Sequence, residues 1–154
     1  MTAPKLLGIS GSLRKDATNT KLLRAAAGLF GENDFTLGDL NLPLYDSDEE
    51  AASGVPAGPS GVLKNALDWV SRTEGNPWNG KPVAVMSAAA GRAGGERAQM
   101  ILRGFMVPFR PLILQGPEIH LANSSNEFDD AGNLTGEIYV RELTALMQAL
   151  RAAI

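Results

Sequence analysis

The chain has 154 residues, enough for one domain with a core of its own. It has no cysteine and one histidine, His120, which excludes disulfides, a thiolate nucleophile, cysteine-built metal sites and any two-histidine metal site. A formal charge of −3, with Lys+Arg 14 against Asp+Glu 17, leaves no basic footprint for nucleic acid or an anionic membrane. No apolar run is long enough to span a bilayer, and the first residues lack a secretory pattern, so a cytoplasmic protein is expected. If the chain is an enzyme, a bound cofactor is the expected carrier of difficult chemistry.

In chain order, residues 5–9 form a short apolar run stopped by Ser10-Gly11-Ser12, which predicts a buried strand. Over 18–30, Leu22, Leu23, Ala26, Ala27, Leu29 and Phe30 recur at helical spacing. Residues 35–40 alternate as a strand does. From Asn41 to Ser60 the chain is rich in Pro, Gly, Ser and acid and reads as loop. Residues 61–72 set Val62, Leu63, Ala66, Leu67 and Val70 on one helical face. A second apolar strand is predicted at 82–87, then a small-residue loop over 88–95. A helix follows at about 95–106, with Ala98, Ile101, Leu102, Phe105 and Met106 inward and Pro108 ending it. Strand-like runs come at 111–114 and 117–121, and a polar loop covers 123–133. The last helix, 136–153, carries Tyr139, Leu143, Leu146, Met147 and Leu150 on one stripe. This alternation predicts a single α/β domain over 1–154, with a parallel sheet covered on both faces.

Two loops carry chemistry. Gly8-Ile9-Ser10-Gly11-Ser12-Leu13-Arg14-Lys15-Asp16-Ala17-Thr18-Asn19 runs from a strand through hydroxyls and a base into a helix. A phosphate needs hydrogen-bond donors and positive potential, and a helix N-terminus supplies both. Ser10, Ser12, Thr18 and Asn19 can donate, and Arg14 can pair with the dianion. The same residues also suit a plain turn in which Thr18 or Asp16 caps the helix. The second loop, Ser87-Ala88-Ala89-Ala90-Gly91-Arg92-Ala93-Gly94-Gly95, has side chains small enough for a flat ring to approach the backbone, and equally suits a glycine turn. Gly75 to Lys81 falls short of a P-loop, because Pro82 replaces the hydroxyl residue and a strand follows. Asp129 to Asn133 reads as a solvated turn rather than a calcium loop. His120, in an apolar strand-like run, reads as structural.

Together these segments resemble the NADPH-dependent FMN reductase family, whose fold is flavodoxin-like. The resemblance rests on Gly8 to Arg14, on Leu42-Pro43-Leu44-Tyr45, on Leu63 to Arg72, and on Lys81 to Ser87 with Gly91 and Gly94-Gly95. It implies a three-layer sandwich with a parallel sheet. It also implies FMN, with its phosphate held by Ser10, Ser12, Arg14, Thr18 and Asn19 and its ring near Ser87 and Gly91. NADPH or NADH would be the donor, and a quinone, flavin or ferric complex the small-molecule acceptor. Neither a metal nor a catalytic side chain is expected, and the assembly implied is a homodimer or homotetramer.

One departure stands out. The family has a helix, a buried strand and a Pro-Glu-Tyr-Asn loop just before the Leu-Lys-Asn-Ala helix, whereas here Asn41 to Gly61 runs directly into that helix. The sheet is therefore expected to shorten to four strands, with strand 82–87 pairing directly with strand 5–9. Because the absent loop packs beside the flavin ring, the alternative is a non-catalytic flavodoxin-like module that binds FMN weakly.

Overall fold

A computed structural model of the chain describes residues 2–42 and 61–154. Strand β1 (Lys5–Gly8) leads into helix α1 (Thr18–Leu29), and β2 (Asp34–Leu37) returns parallel to β1 with Leu6 opposite Phe35. Helix α2 spans Gly61–Ser71. The next predicted strand is broken into β3 (Pro82–Val83) and β4 (Met86–Ala88), followed by α3 (Glu96–Met106). The two later strand runs are β5 (Leu112–Ile113) and β6 (Ile119–Leu121), parallel to β3 and β4 respectively. Helix α4 (Glu137–Ala152) ends the fold. Elements and order match the sequence pattern closely. The loop expected over 41–60 lies, from residue 43 on, outside the described residues.

The main core lies between the sheet and the α1/α4 layer. Leu22, Ala26 and Phe30 of α1 meet Leu143, Leu146, Met147 and Leu150 of α4 over Ala88, Ile119 and Leu121. The strand residues alternate, as a pleat requires. Met86 and Ala88 face this core, while Ser87 turns to α3, where Gln99 reaches it. Helix α2 lies beside α3, with the Lys64 ammonium 5.8 Å from the Phe105 ring centre. The α3 face differs from expectation. Its buried residues are Gln99 and Met106, with Ala98, Ile101, Leu102 and Phe105 only half-buried. Gln99 belongs inside because its amide donates to the Ile119 carbonyl at 2.6 Å and to Ser87 Oγ at 2.9 Å.

The expected ladder between strands 5–9 and 82–87 does not form. Among the described residues β1 pairs only with β2, and the other strands pair among themselves. Backbone groups of Pro4 and Gly8 bond to β2, so those of Lys5 and Leu7 face the opposite edge, where no described strand lies. Leu6 packs toward the core, but Leu7, on the other face, is 61% exposed. The strands therefore stand as three parallel pairs, and α1 packs on both β1 and β4.

Candidate functional site

The site is built where β1 ends. Gly8 has to be glycine, since a Cβ there would stand 2.6 Å from the Phe35 ring and 2.9 Å from Leu23. This close packing brings Gly38 onto the Gly8 carbonyl at 2.8 Å and sets residues 37–40 against the loop after β1. A cleft of about 290 Å³ results, lined by Ser10, Ser12, Arg14 and Thr20 on one side and Gly38 and Asp39 on the other.

The loop itself is a chain of short bonds. Buried Ser10 shares a 2.7 Å hydrogen bond with Thr20 Oγ1. The Ser12 amide donates to Ser10 Oγ, and the Arg14 amide to Ser12 Oγ, each at 3.4 Å. The Ala17 amide then closes onto the Arg14 carbonyl at 3.2 Å, and α1 begins. Its N-cap is Ala17, fully buried, with no side-chain cap and no acidic residue in the first turn. The capped-turn reading fails here, because neither Thr18 nor Asp16 caps the helix. The first amides of α1 and its positive dipole end are left for an anion. Exposed Arg14 makes no ion pair among the described residues. Asp39, on the far side of the cleft, accepts from the Asn41 amide at 2.9 Å. These residues fit the phosphate of FMN.

Three residues in a row pin the helix start. Thr18 Oγ1 accepts from Ser124 Oγ at 3.2 Å, Asn19 bonds to Ala88, and Thr20 bonds to Ser10. Having accepted from Ser124, the Thr18 hydroxyl keeps its own proton to donate. Thr20 and Ser124 escaped the sequence reading. Thr20 carries a weak signal, since it stands one helical position beyond the candidate pair. Ser124 lies 106 residues from Thr18 and carries none.

On the strand 82–88 side, the structure gives Ser87 a different task from the expected cofactor contact. Its hydroxyl is buried, donates to the Gly94 carbonyl at 2.5 Å, and accepts from Gln99. The first bond holds the loop 89–95 to the strand and the second holds α3. Gln99 Oε1 is buried without a partner among the described residues. Gly94 and Gly95 have positive φ (57° and 89°), and a Cβ on Gly94 would collide with the His120 carbonyl. These glycines therefore serve the close packing of loop on strand, and His120 supplies backbone. Gly91 is different: it is exposed, with nothing near the position of a Cβ, and so lies open to a flat ring. The two candidate loops are brought together through the Asn19–Ala88 contact. A larger cleft of about 390 Å³, beside β5 and Arg103, holds none of the candidate residues.

Parallel strand pairs between helical layers, with an uncapped helix N-terminus after the first strand, define a flavodoxin-like α/β protein. The model of the family described as NADPH-dependent FMN reductase matches residues 56–126. An NAD(P)H-dependent FMN reductase of Pseudomonas aeruginosa is 35% identical over 172 residues, covering 96% of this chain and 93% of the relative. A 2-hydroxy-1,4-benzoquinone reductase of a Burkholderia species is 31% identical, covering 97% of this chain and 96% of the relative. The solved flavoenzyme NAD(P)H:(acceptor) oxidoreductase FerB of Paracoccus denitrificans superimposes with a TM-score of 0.81 at 26% identity, over 97% of this chain and 96% of that one. The chain belongs to the NADPH-dependent FMN reductase family. The 172-residue alignment is longer than the chain itself, so the Pseudomonas relative has residues with no counterpart here.

Proposed function

We propose that this protein is an NAD(P)H-dependent FMN oxidoreductase that delivers electrons to a small acceptor of the quinone or flavin class. The carrying observation is the start of α1, with no side-chain cap and no acid in its first turn, beside the guanidinium of Arg14, which makes no ion pair among the described residues. Bound FMN would supply the redox chemistry, taking a hydride from the nicotinamide and passing two electrons to the acceptor.

In this reading Arg14 and the first amides of α1 neutralise the phosphate, and the Ser12 and Thr18 hydroxyls orient it. Ser10 keeps the loop in shape through Thr20. Gly91 leaves the ring side open, and Ser87 acts by fixing the loop that carries it. The relatives compared above are named as reductases, which favours the enzyme over a module that binds FMN weakly. No helix among the described residues is long and apolar enough to cross a membrane. A cytoplasmic setting and a homodimer or homotetramer complete the proposal; sedimentation measures the latter.

Purified protein should be yellow, or quench added FMN, and should oxidise NADPH or NADH with a quinone present. Arg14→Ala should weaken FMN binding roughly 10- to 150-fold, the equivalent of losing a charged hydrogen bond of about 1.5–3 kcal/mol. Unchanged affinity in that variant would remove Arg14 from the site.

A further inference from the structure

We infer that Asn19 is a positioning residue that stands in for one peptide unit of a neighbouring strand along β4. In doing so it ties the phosphate side of the site to the ring side. This rests on the FMN reading given above.

The argument starts from the ladder. The Ala89 amide bonds to the Leu121 carbonyl of β6. Successive residues of a strand send their backbone groups to opposite edges, so those of Ala88 face away from β6, toward the edge that no described strand occupies. Ala88 is 5% exposed, so water gives it little help. A buried N–H and C=O left unpaired would both be costly. The Asn19 side chain satisfies both. Its Nδ2 donates to the Ala88 carbonyl at 3.0 Å, and its Oδ1 accepts from the Ala88 amide at 2.8 Å. A carboxamide has the donor and acceptor of a peptide group side by side, which neither a hydroxyl nor a carboxylate does.

The consequence is mechanical. No strand pairing joins β1 to β4, so the two candidate loops depend on α1 for their relative placement. Within its first turn, Asn19 makes the two-bond contact to the strand that precedes the ring-side loop. With Oδ1 and one Nδ2 proton committed to Ala88, a direct contact to phosphate is a secondary use of this side chain.

The test separates bridge from ligand with FMN and riboflavin, which lacks the phosphate. In Asn19→Leu the bridge predicts that affinity for both flavins falls by a similar factor, roughly five- to tenfold. A loss for FMN with riboflavin binding unchanged would make Asn19 a phosphate ligand and overturn the inference. Without flavin, exchange of the Ala88 amide should quicken about tenfold while the Leu121-bonded Ala89 amide holds; equal exchange at Ala88 in both proteins also overturns it.

Asn19→Asp covers a Leu variant that does not fold. At neutral pH its carboxylate opposes the Ala88 carbonyl, and on protonation it regains a donor. Riboflavin affinity of this variant should therefore rise as pH falls, with the parent protein flat over the same range. No rise would sink the bridge. A parent protein that binds no flavin would overturn the FMN reading, while Ala88 exchange would still decide the bridge.

Discussion

Two of the three strand pairs, β4–β6 and β1–β2, are covered unequally by the described residues. The β4–β6 pair has helices on both faces: α1 and α4 over Ala88, Ile119 and Leu121, and α3 beneath, where Gln99 reaches Ser87 and the Ile119 carbonyl. Among the described residues the β1–β2 pair has α1 on one face only, and Leu7, on the other face, is 61% exposed. Parallel strands are ordinarily buried on both sides. In the sequence, Asn41–Gly61 is the stretch where the family pattern has another helix and strand. Closing a parallel sheet thus depends on the neighbouring strand and helix as much as on the strand's own residues. The β1 run is as apolar as the 82–87 run, yet among the described residues only the latter is covered on both faces.

The contrast is sharpest in the core. Leu143→Ala should destabilise by about 2–5 kcal/mol, because Leu143 is fully buried between α1 and α4. Leu7→Ser, on the open face, should change stability by no more than about 0.5 kcal/mol. Denaturant melts of the pair check this, and a large loss in Leu7→Ser would mean that the face is covered in solution. Between these in size comes Gly94→Ala. Its φ of 57° is strained for alanine, and its Cβ would run into the backbone of His120, which cannot swing aside. A cost of at least about 1–3 kcal/mol is expected from the backbone strain alone. That variant should loosen the loop 89–95 without touching β1–β2, which amide exchange in the two halves would reveal.

Much of this was legible in the sequence, for a local reason. Helix α4 shows its stripe at Leu143, Leu146, Met147 and Leu150 because one face meets one core. The phosphate loop was legible because strand, hydroxyls, base and helix start are contiguous from Gly8 to Asn19. What stayed hidden depends on residues far apart in the chain. Asn19 meets Ala88 across 69 positions and Thr18 meets Ser124 across 106, and neither pairing leaves a local period. Ser87 was expected beside the cofactor, and its hydroxyl bonds into the protein. Its type suits a ligand contact, and only the nearness of Gly94 and Gln99 shows that its hydroxyl is spent inward. The expected β1 to 82–87 pairing failed for a related reason. The intact flanking runs suggested direct contact, but the link observed runs through α1, which packs on both strands, and through the Asn19 side chain on Ala88.

The smallest effect expected separates the two sides by pH. The covered side is closed off by a turn in which Phe128 pairs with Leu134 and Lys21 lies 5.9 Å from the Phe128 ring centre. Asp129 holds that turn, accepting from the Asn133 amide at 2.7 Å and from Asn133 Nδ2 at 2.9 Å. The bond from the Asn133 side chain is the main cause that lowers its pKa below the ordinary carboxylate value of 3.8, with the backbone bond to Asn133 second. A carboxylate whose folded pKa is lowered favours the folded state above its unfolded pKa. That contribution fades as pH drops below about 3.8 and is gone once the pH is under the folded value. Asp129→Asn keeps an acceptor and removes the titration. Acid should therefore loosen the Asn133 amide in the parent protein and leave the variant unchanged over the same window. Because Asp129 is fully exposed, the global melt of the two proteins should barely differ at neutral pH. If acid instead opened Leu7 and its neighbours first in both proteins, the thin side would be the acid-sensitive one, and the ranking of the two halves would turn on charge elsewhere than at Asp129.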